Sequence, residues 1–449
     1  MAFRYNCSTM LDRRSFTRQI AAGAAAPFFL RNLISAPRYD TVRLASFGAG
    51  GMAWVTLEQI ASHPKVKLAC VAEVDSDNLG RLKQKYPEAR IYEDFRQLLD
   101  KEHREVDVAC VGTPDHMHAP IAMAAMHRGL PVYVQKPLAH DIYEIRRLTM
   151  FARKKNLVTQ MGIQNHSAKE YRTAAALIQA GAIGKIKEVH SWSEKKWGDP
   201  DPLPNQTDTP PSTLNWDLWL GVAAARPFIG GGYYHPMNWR KRLDFGTATF
   251  GDMGCHIFDP VFTALRLTAP LSVRSEGPAP NAHNWAINTI IHYVFPGTEV
   301  TEEKTIPISW YDGDERPPQA VLSLLGARKA PGQGSIFVGT KGTMLLPHMT
   351  MPVLLPEEQF RDFPMPQHVT ESHYHQWIEA VRGNCQASAS FDYSGPLTES
   401  VLLGPVATRF PKTTLEWNSA KLKFTNSSEA TAFIPRQYRN GWQVKGLST

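Results

Sequence analysis

The chain contains 449 residues, of which 43% are hydrophobic and 20% are charged, a composition that allows two domains with sizeable cores. Residues 1–36 hold five arginines and one aspartate, so most of the formal net charge of +7 belongs to them. The remainder carries about +3 without a basic run, which argues against nucleic acid as a partner. Cysteines and histidines lack metal-ligand spacing, so no metal site is predicted.

The first 36 residues have the layout of an export signal. Arg13 and Arg14 precede an apolar stretch over residues 20–30, which is shorter than the ~20 residues that a membrane-spanning helix needs. A basic pair, an apolar run and small residues, in this order, are typical of a twin-arginine signal. The alternative is an Ala-rich first helix of the domain. We expect export in the folded state to the periplasm or another extracytoplasmic site, with no membrane span in the mature protein.

A glycine-rich turn follows the first predicted strand and has the pattern G-x-G-x-x-A. Gly48 permits the tight turn, Gly50 lets the backbone approach a pyrophosphate, and Ala53 lets the next helix pack on the strand. The free N–H groups at the helix start, including those of Gly51 and Met52, can hold phosphates. The turn therefore predicts a dinucleotide site, with an ordinary Gly-rich turn as the alternative.

A second apolar run ends at Asp75, some 20-odd residues after the turn. An acidic side chain at this place can accept hydrogen bonds from the ribose hydroxyls of a dinucleotide. Because its carboxylate would repel a 2′-phosphate, NAD is favoured over NADP. The alternative is that Asp75 is a solvated turn residue before Asp77.

Strands and helices alternate through the first third of the chain. The predicted strands cover residues 42–47, 66–74, 106–111, 132–134 and 158–161, and the predicted helices cover 54–62, 78–86 and 92–99, with two more ending at 126 and 152. Such alternation predicts a doubly wound parallel sheet whose ligands lie at the carboxyl ends of the strands. Residues 113–118 and Lys136 occupy such ends. We assign residues 40–162 to a nucleotide-binding Rossmann domain.

The pattern changes from residue 163 onward, and we assign residues 163–449 to a second, α+β domain. The sequence predicts helices over residues 169–179 and 399–408 and strands over 187–192, 287–295, 305–310, 335–338 and 343–346. Between the first two strands lies a Pro- and Trp-rich stretch, residues 199–246, which we call the excursion. It is too long for a plain connector, so we expect it to form a substrate rim or a subunit contact.

A predicted helix over residues 251–267 places Asp252 and His256 at positions i and i+4, on one face. A carboxylate one turn from an imidazole can orient it and stabilise its protonated form, as a general base for an alcohol requires. The alternative is that Asp252 caps the helix and that His256 is an ordinary packed residue.

The chain resembles the Gfo/Idh/MocA oxidoreductases from about residue 42 to its C-terminus. The motifs that carry the resemblance are the turn at residues 48–53, Thr113-Pro-Asp-His-x-His118, Lys136-Pro137 and Gly251-Asp-Met-Gly-Cys-His256. Residues 158–162, 216–221 and 234–240 look like the twin-arginine-exported branch. Where the family has Glu-Lys-Pro, this chain has Gln135-Lys136-Pro137, so an amide stands in place of the carboxylate beside the lysine.

The resemblance implies a C-terminal domain with an open-faced, mostly antiparallel sheet, a homo-oligomer and a set of functional residues. His256 would take the hydroxyl proton, Lys136 would stabilise the reacting oxygen, and Asp252 would orient the site. The cofactor-binding residues would be Gly48, Gly50, Gly51, Met52, Asp75, Thr113, Pro114, His116, His118, Gln135 and Lys136. The substrate-binding residues would be Asn165, Tyr234, His235, Trp239 and Arg240.

Some of these assignments have plainer alternatives. His116 and His118 can contact the nicotinamide ribose or the substrate, or they can be ordinary loop histidines. Aromatic faces stack on the C–H surfaces of sugars and Arg binds hydroxyls, so Tyr234, Trp239 and Arg240 suit a carbohydrate, although Trp239 can equally be a core residue.

An exported enzyme meets no pool of diffusible nicotinamide cofactor, so the cofactor must stay bound and be regenerated in each cycle. Three functions remain open. The first couples oxidation of one sugar to reduction of another, and the second cleaves a glycoside by transient oxidation and elimination. The third is a non-catalytic sugar- or NAD-binding protein that has kept the fold.

Overall fold

The computed structural model describes residues 40–447, so the predicted export signal lies outside the described residues. Its first sheet has six parallel strands in the order β3-β2-β1-β4-β5-β6. The strands are β1 Val42–Phe47, β2 Val66–Ala72, β3 Arg90–Tyr92, β4 Val108–Val111, β5 Val132–Gln135 and β6 Thr159–Gly162. The predicted doubly wound parallel sheet is confirmed.

Five helices connect these strands: α1 Gly51–Ala61, α2 Leu79–Lys85, α3 Phe95–Glu102, α4 His118–His127 and α5 Ile142–Lys155. The prediction of a helix over residues 92–99 was wrong at its start. Tyr92 pairs with Ala72 as the last residue of β3, and the Asp94 side chain then caps α3 by accepting from the N–H of Arg96. The short strand β3 forms one edge of the sheet.

The second half contains a nine-stranded mixed sheet in the order β13-β12-β11-β7-β10-β9-β8-β14-β15. Its strands are β7 Ile186–Ser193, β8 Ser272–Glu276, β9 Ile290–Pro296, β10 Thr305–Asp312, β11 Gln333–Gly339, β12 Thr343–Pro347, β13 Val353–Leu355, β14 Thr414–Asn418 and β15 Lys423–Phe424. Its helices are α6 Lys169–Gln179, α7 Trp216–Leu220, α8 Ala248–Leu265, α9 Gln319–Leu322, α10 His373–Val381, α11 Phe391–Thr408 and α12 Ser428–Thr431. Only β7 and β10 pair in parallel within this sheet, so the predicted, mostly antiparallel arrangement is confirmed.

Helix α10 belongs to the Rossmann core although it lies more than 200 residues downstream of β6. Trp377 is fully buried in one apolar cluster with Val42 of β1 and Leu57 of α1. Ser372 caps the helix, because its side chain accepts from the N–H of His375. One face of the parallel sheet is therefore covered partly by the C-terminal half of the chain.

Helix α8 is buried along nearly its whole length, and most of its residues are accordingly apolar. It lies against α6, α11 and the second sheet, where the Phe250 ring stacks on Trp310 at 4.6 Å. The helix begins at Ala248, three residues before the predicted start. Its first turns bring Asp252 and His256 to the edge of the Rossmann sheet.

The excursion folds around its own aromatic cluster, which contains Trp219, Phe228, Trp239 and Phe245. It contacts the Rossmann domain through a backbone bridge between Leu214 and Asp75.

Across the described residues, no helix combines the length and the apolar character needed to cross a membrane.

Candidate active site

A cavity of about 730 Å³ lies at the carboxyl ends of the Rossmann strands, between them and a wall formed by α8 and the excursion. The predicted site residues that line it are Gly48, Gly50, Gly51, Met52, Thr113, Pro114, Gln135, Lys136, His118, Asn165, His235, Trp239, Arg240, Asp252 and His256. Asp75, His116 and Tyr234 are not among the lining residues. The cavity has the volume and the position expected of a dinucleotide and substrate site.

The glycine-rich turn leaves room and donors for a pyrophosphate. Gly48 has a φ of +96°, which favours glycine, and a Cβ on Gly50 would lie 2.8 Å from the Asn78 side chain. Helix α1 starts at Gly51 without a side-chain cap, so the N–H groups of its first turn stay available. The hydroxyl of Thr113 is buried without a hydrogen-bond partner in the described part of the chain. These groups fit the phosphates and a ribose hydroxyl of NAD.

At the end of β2, the acidic residue that lines the cavity is not the one that the sequence predicts for the ribose. The strand ends at Ala72, two residues earlier than predicted, and Glu73 rather than Asp75 lines the cavity. Glu73 Oε2 accepts from the N–H of Ala49 in the glycine-rich turn at 2.7 Å. Asp75 turns away because its backbone pairs with the excursion, and its Oδ2 lies 2.8 Å from Nε2 of His235.

Lys136 and Asp252 form the closest ion pair in the cavity wall. Lys136 Nζ lies 2.6 Å from Asp252 Oδ1 and donates to the Asp252 carbonyl oxygen at 2.8 Å. The Asp252 carboxylate therefore pairs with Lys136 rather than with His256, its predicted partner. Asp252 and His256 both lie on α8, but the carboxylate points to the lysine that follows β5.

Three cations surround the Asp252 carboxylate, because Arg240 Nε lies 3.3 Å from Oδ1 and Lys195 Nζ lies 3.9 Å from Oδ2. Burial would raise the pKa of Asp252, but the charges of Lys136, Arg240 and Lys195 hold it well below the ordinary value. The carboxylate is ionised at neutral pH and orients the ammonium group of Lys136.

His256 is a neutral imidazole at the cavity wall, with 7% of its surface exposed. Burial and the positive charge of Lys136 lower the pKa of His256 well below the ordinary value. Its Nδ1 lies 3.4 Å from the side-chain amide of Asn165, so Asn165 orients the ring. The neutral ring can accept a proton at Nε2 when its own hydrogen is on Nδ1, the tautomer in which the Asn165 side chain presents its amide oxygen to Nδ1–H.

The two loop histidines have structural roles. His116 is buried, and its Nε2 lies 3.0 Å from the carbonyl oxygen of Trp219. The His118 ring lies between two carbonyl oxygens, with Nδ1 2.7 Å from that of Pro137 and Nε2 2.7 Å from that of Thr113. Burial lowers the pKa of His116 to about 3 and that of His118 to about 4, and the two carbonyl oxygens beside the His118 ring oppose this lowering. His118 thus connects the loop after β4 to the loop that carries Lys136.

The excursion forms one wall of the cavity, and its role as a substrate rim stays a prediction. The Arg240 guanidinium lies 4.2 Å from the ring centre of Trp239, and both side chains line the cavity. Tyr234 lies instead in the aromatic cluster of the excursion, 5.2 Å from the ring of Trp216. The Tyr234 ring packs behind the cavity wall and does not line the cavity, so this arrangement does not support its predicted contact with the substrate.

Several lining residues were not predicted, among them Glu73, Lys195, Trp197, His348 and Trp442. Lys195 and Trp197 directly follow β7, and a cationic and aromatic pair at a strand end is a recognisable signal. His348 and Trp442 have no such signal, because only tertiary packing brings residues so far downstream to the cavity.

In the described part of the chain, no group of three or more His, Cys, Asp or Glu side chains is arranged to hold a metal ion.

Two stretches of the chain match known families. Residues 42–163 match the family described as "Oxidoreductase family, NAD-binding Rossmann fold". Residues 184–303 match the one described as "Oxidoreductase family, C-terminal alpha/beta domain". Together the two matches cover more than half of the chain.

Similar curated proteins include dehydrogenases and a glycosidase. The levoglucosan dehydrogenase of Pseudarthrobacter phenanthrenivorans is 22% identical over 189 residues, which are 42% of this chain and 40% of that protein. A glycosyl hydrolase family 109 protein of Shewanella putrefaciens is 24% identical over 160 residues, 34% of each chain. The chain therefore matches well under half the length of these relatives.

Among solved structures, the WlbA dehydrogenase of Bordetella pertussis, in complex with NADH and UDP-GlcNAcA, has a TM-score of 0.61 at 14% identity. The match covers 84% of this chain and 99% of that one. At this identity the likeness concerns the fold, which extends over both domains.

Proposed function

The chain belongs to the Gfo/Idh/MocA oxidoreductase family, and on this premise we propose that it removes hydride from a CH–OH group of a sugar or sugar derivative. The observation that carries the proposal is one cavity that joins the glycine-rich turn to the Lys136–Asp252 ion pair and to His256. A non-catalytic binding protein would not need a partly buried lysine held by a carboxylate beside a neutral histidine.

The chemistry of the proposed reaction divides among few residues. NAD, when bound, supplies the hydride acceptor. Lys136 donates hydrogen bonds to the substrate oxygen and stabilises the negative charge that develops there, while Asp252 keeps its ammonium group in place. His256 accepts the hydroxyl proton, because its depressed pKa leaves it unprotonated at neutral pH.

The lining of the cavity supports a carbohydrate as the substrate. Trp197 and Trp239 offer aromatic faces for C–H surfaces, and Arg240 and Lys195 offer donors for hydroxyl oxygens. The name of the relative from Pseudarthrobacter phenanthrenivorans, a levoglucosan dehydrogenase, fits the same class of substrate.

A cofactor that stays bound through many cycles is the second part of the proposal. It rests on the twin-arginine pattern at Arg13 and Arg14, since a periplasmic enzyme could not replace lost NAD. The excursion supports it, because His235 joins it to the end of β2 and it covers the cavity. Release of a nucleotide from such a site requires that this cover opens.

A second candidate function is cleavage of a glycoside through transient oxidation, elimination of the leaving group and return of the hydride. The similarity to a glycosyl hydrolase family 109 protein favours this candidate. The same Lys136 and His256 would serve the oxidation half of that cycle. The two functions differ in their products rather than in the first step.

One experiment tests the function and separates the candidates. The purified protein is denatured, the released nucleotide is quantified, and the native protein is incubated with sugar mixtures and with aryl glycosides. We expect NAD at near-stoichiometric amounts and either one oxidised and one reduced sugar or hydrolysis alone. Absence of turnover with all sugars and glycosides would leave only the binding protein, and activity that requires added NAD would contradict retention.

A further inference from the structure

The last part of the described chain returns to the Rossmann domain. We call residues 434–447 the C-terminal strap. The Tyr438 hydroxyl donates to Glu144 Oε1 at 2.6 Å, and Arg147 Nε donates to the carbonyl oxygen of Gly446 at 2.8 Å. Both Rossmann partners lie on α5, so the strap lies across the domain that holds the cavity.

Arg439 connects the strap to the excursion. Its Nη1 lies 2.5 Å from Asp217 Oδ1, and its Nε donates to the carbonyl oxygen of Gly221 at 3.0 Å. Its backbone N–H donates to the carbonyl oxygen of Val222 at 2.9 Å. The strap is therefore bound to both sides of the cavity.

Trp442 is the strap residue that reaches the cavity and lines it. Its ring centre lies 6.4 Å from that of Phe95, and the Arg96 guanidinium covers the ring at 4.2 Å. Only 8% of its surface is exposed. Phe95 is the first residue of α3, the helix that follows β3, so Trp442 lies at the end of the cavity that is nearest to β3.

The order of the strands indicates which half of a bound dinucleotide would lie beside Trp442. β3 lies at one edge of the sheet, and Lys136 follows β5 on the opposite side of β1. With the pyrophosphate on the glycine-rich turn after β1, the adenosine half extends over β2 towards β3. The nicotinamide half then extends towards Lys136 and His256.

We propose that Trp442 contacts the adenine of the bound dinucleotide and that the C-terminal strap is part of the device that retains the cofactor. This proposal rests on the proposed function, because it requires a bound dinucleotide. The aromatic ring of Trp442, held by Arg96 and bordered by Phe95, suits a flat base. Release would require the strap to leave the excursion, which the four hydrogen bonds of Arg439 oppose.

The test compares two halves of NAD on the full chain stripped of nucleotide. Calorimetry measures the Kd of ADP-ribose and of nicotinamide mononucleotide for the wild type, Trp442→Ala and Trp197→Ala. Trp197 is the matched control, because it lines the cavity near Arg240, away from β3. We expect Trp442→Ala to weaken ADP-ribose roughly ten-fold, as loss of a stacked base does, and to leave nicotinamide mononucleotide within about two-fold. Trp197→Ala should leave ADP-ribose unchanged.

An equal loss for both halves, or no loss for ADP-ribose, would overturn the proposal. If Trp442→Ala does not fold, Trp442→Leu replaces it and the same comparison decides. A second variant, Arg439→Ala, removes the side-chain hydrogen bonds to the excursion and the guanidinium that lies 5.1 Å from the ring centre of Trp442. It should shorten the half-life of bound NAD at least several-fold, whereas an unchanged half-life would remove the strap from retention. A wild-type protein that binds neither ADP-ribose nor NAD would instead overturn the proposed function.

Discussion

The imidazole Nε2 of His235 lies 2.8 Å from the Asp75 carboxylate, which joins the tip of the excursion to the residues after β2. Asp75, which the sequence predicts to bind the ribose of the dinucleotide, is thus engaged with His235. Of the two acidic residues after β2, this contact leaves Glu73 as the one that lines the cavity. Asp75 therefore binds the excursion, whereas Glu73 faces the cavity.

The first prediction concerns the choice between NAD and NADP. Glu73→Gln should reduce the preference for NAD about ten-fold or more, because a carboxylate that repels the 2′-phosphate is lost. Asp75→Asn is the matched control, and it should leave the preference unchanged while loosening the excursion. Kd values for both dinucleotides measure the effect. If Asp75→Asn relaxes the preference and Glu73→Gln does not, Asp75 rather than Glu73 faces the ribose.

The second prediction concerns the residues of proton transfer and charge stabilisation. Lys136→Met and His256→Ala should each lower kcat by ~10²–10⁴-fold, the usual contribution of such groups, while NAD stays bound through the glycine-rich turn. Lys195→Met is the matched control, because Lys195 Nζ lies 3.9 Å from the same carboxylate and the side chain is 41% exposed. A small loss for Lys136→Met, equal to that for Lys195→Met, would remove Lys136 from the mechanism.

The third prediction concerns the pH dependence of stability. Burial lowers the pKa of His373 from 6.5 to about 3, and its ring is held between Ser167 and the Met161 carbonyl oxygen. A depressed pKa means that the neutral ring stabilises the folded state above pH 6.5 and that this contribution is lost as the pH falls towards 3.

His373→Gln keeps a donor and an acceptor without the titration, so it isolates this contribution. Below pH 6.5, the free energy of unfolding of the wild type should fall relative to that of His373→Gln by about 1.4 kcal/mol per pH unit. Urea unfolding of both proteins between pH 4.5 and pH 7.5, at steps of about half a unit, measures the difference. Parallel pH profiles would contradict the assignment.

The fourth prediction concerns export. Changing Arg13 and Arg14 to Lys should keep the protein in the cytoplasm, because the twin-arginine route reads this pair. Cell fractionation and detection of the full-length precursor measure the outcome. A signal variant with an intact pair and Ser15→Ala is the control, and periplasmic protein at wild-type amounts in the Lys variant would contradict the prediction.

The sequence by itself determined the Rossmann half and much of the site. The G-x-G-x-x-A turn and the spacing of apolar runs are local signals, and each strand places its next residue at the same edge of a parallel sheet. The sequence therefore suffices to assign Lys136 and His256 to one site.

Only the tertiary structure decided which of these side chains touch. The i, i+4 spacing on a helix predicts that Asp252 contacts His256. In the structure, the Asp252 carboxylate instead forms an ion pair with Lys136, the residue after β5, at 2.6 Å. The Asp75 side chain likewise lies outside the cavity lining, because it contacts the ring of His235, which is 160 residues downstream. Helical and strand periodicity records neighbours within an element, whereas charge pairing and burial act between elements that the chain brings together only by folding.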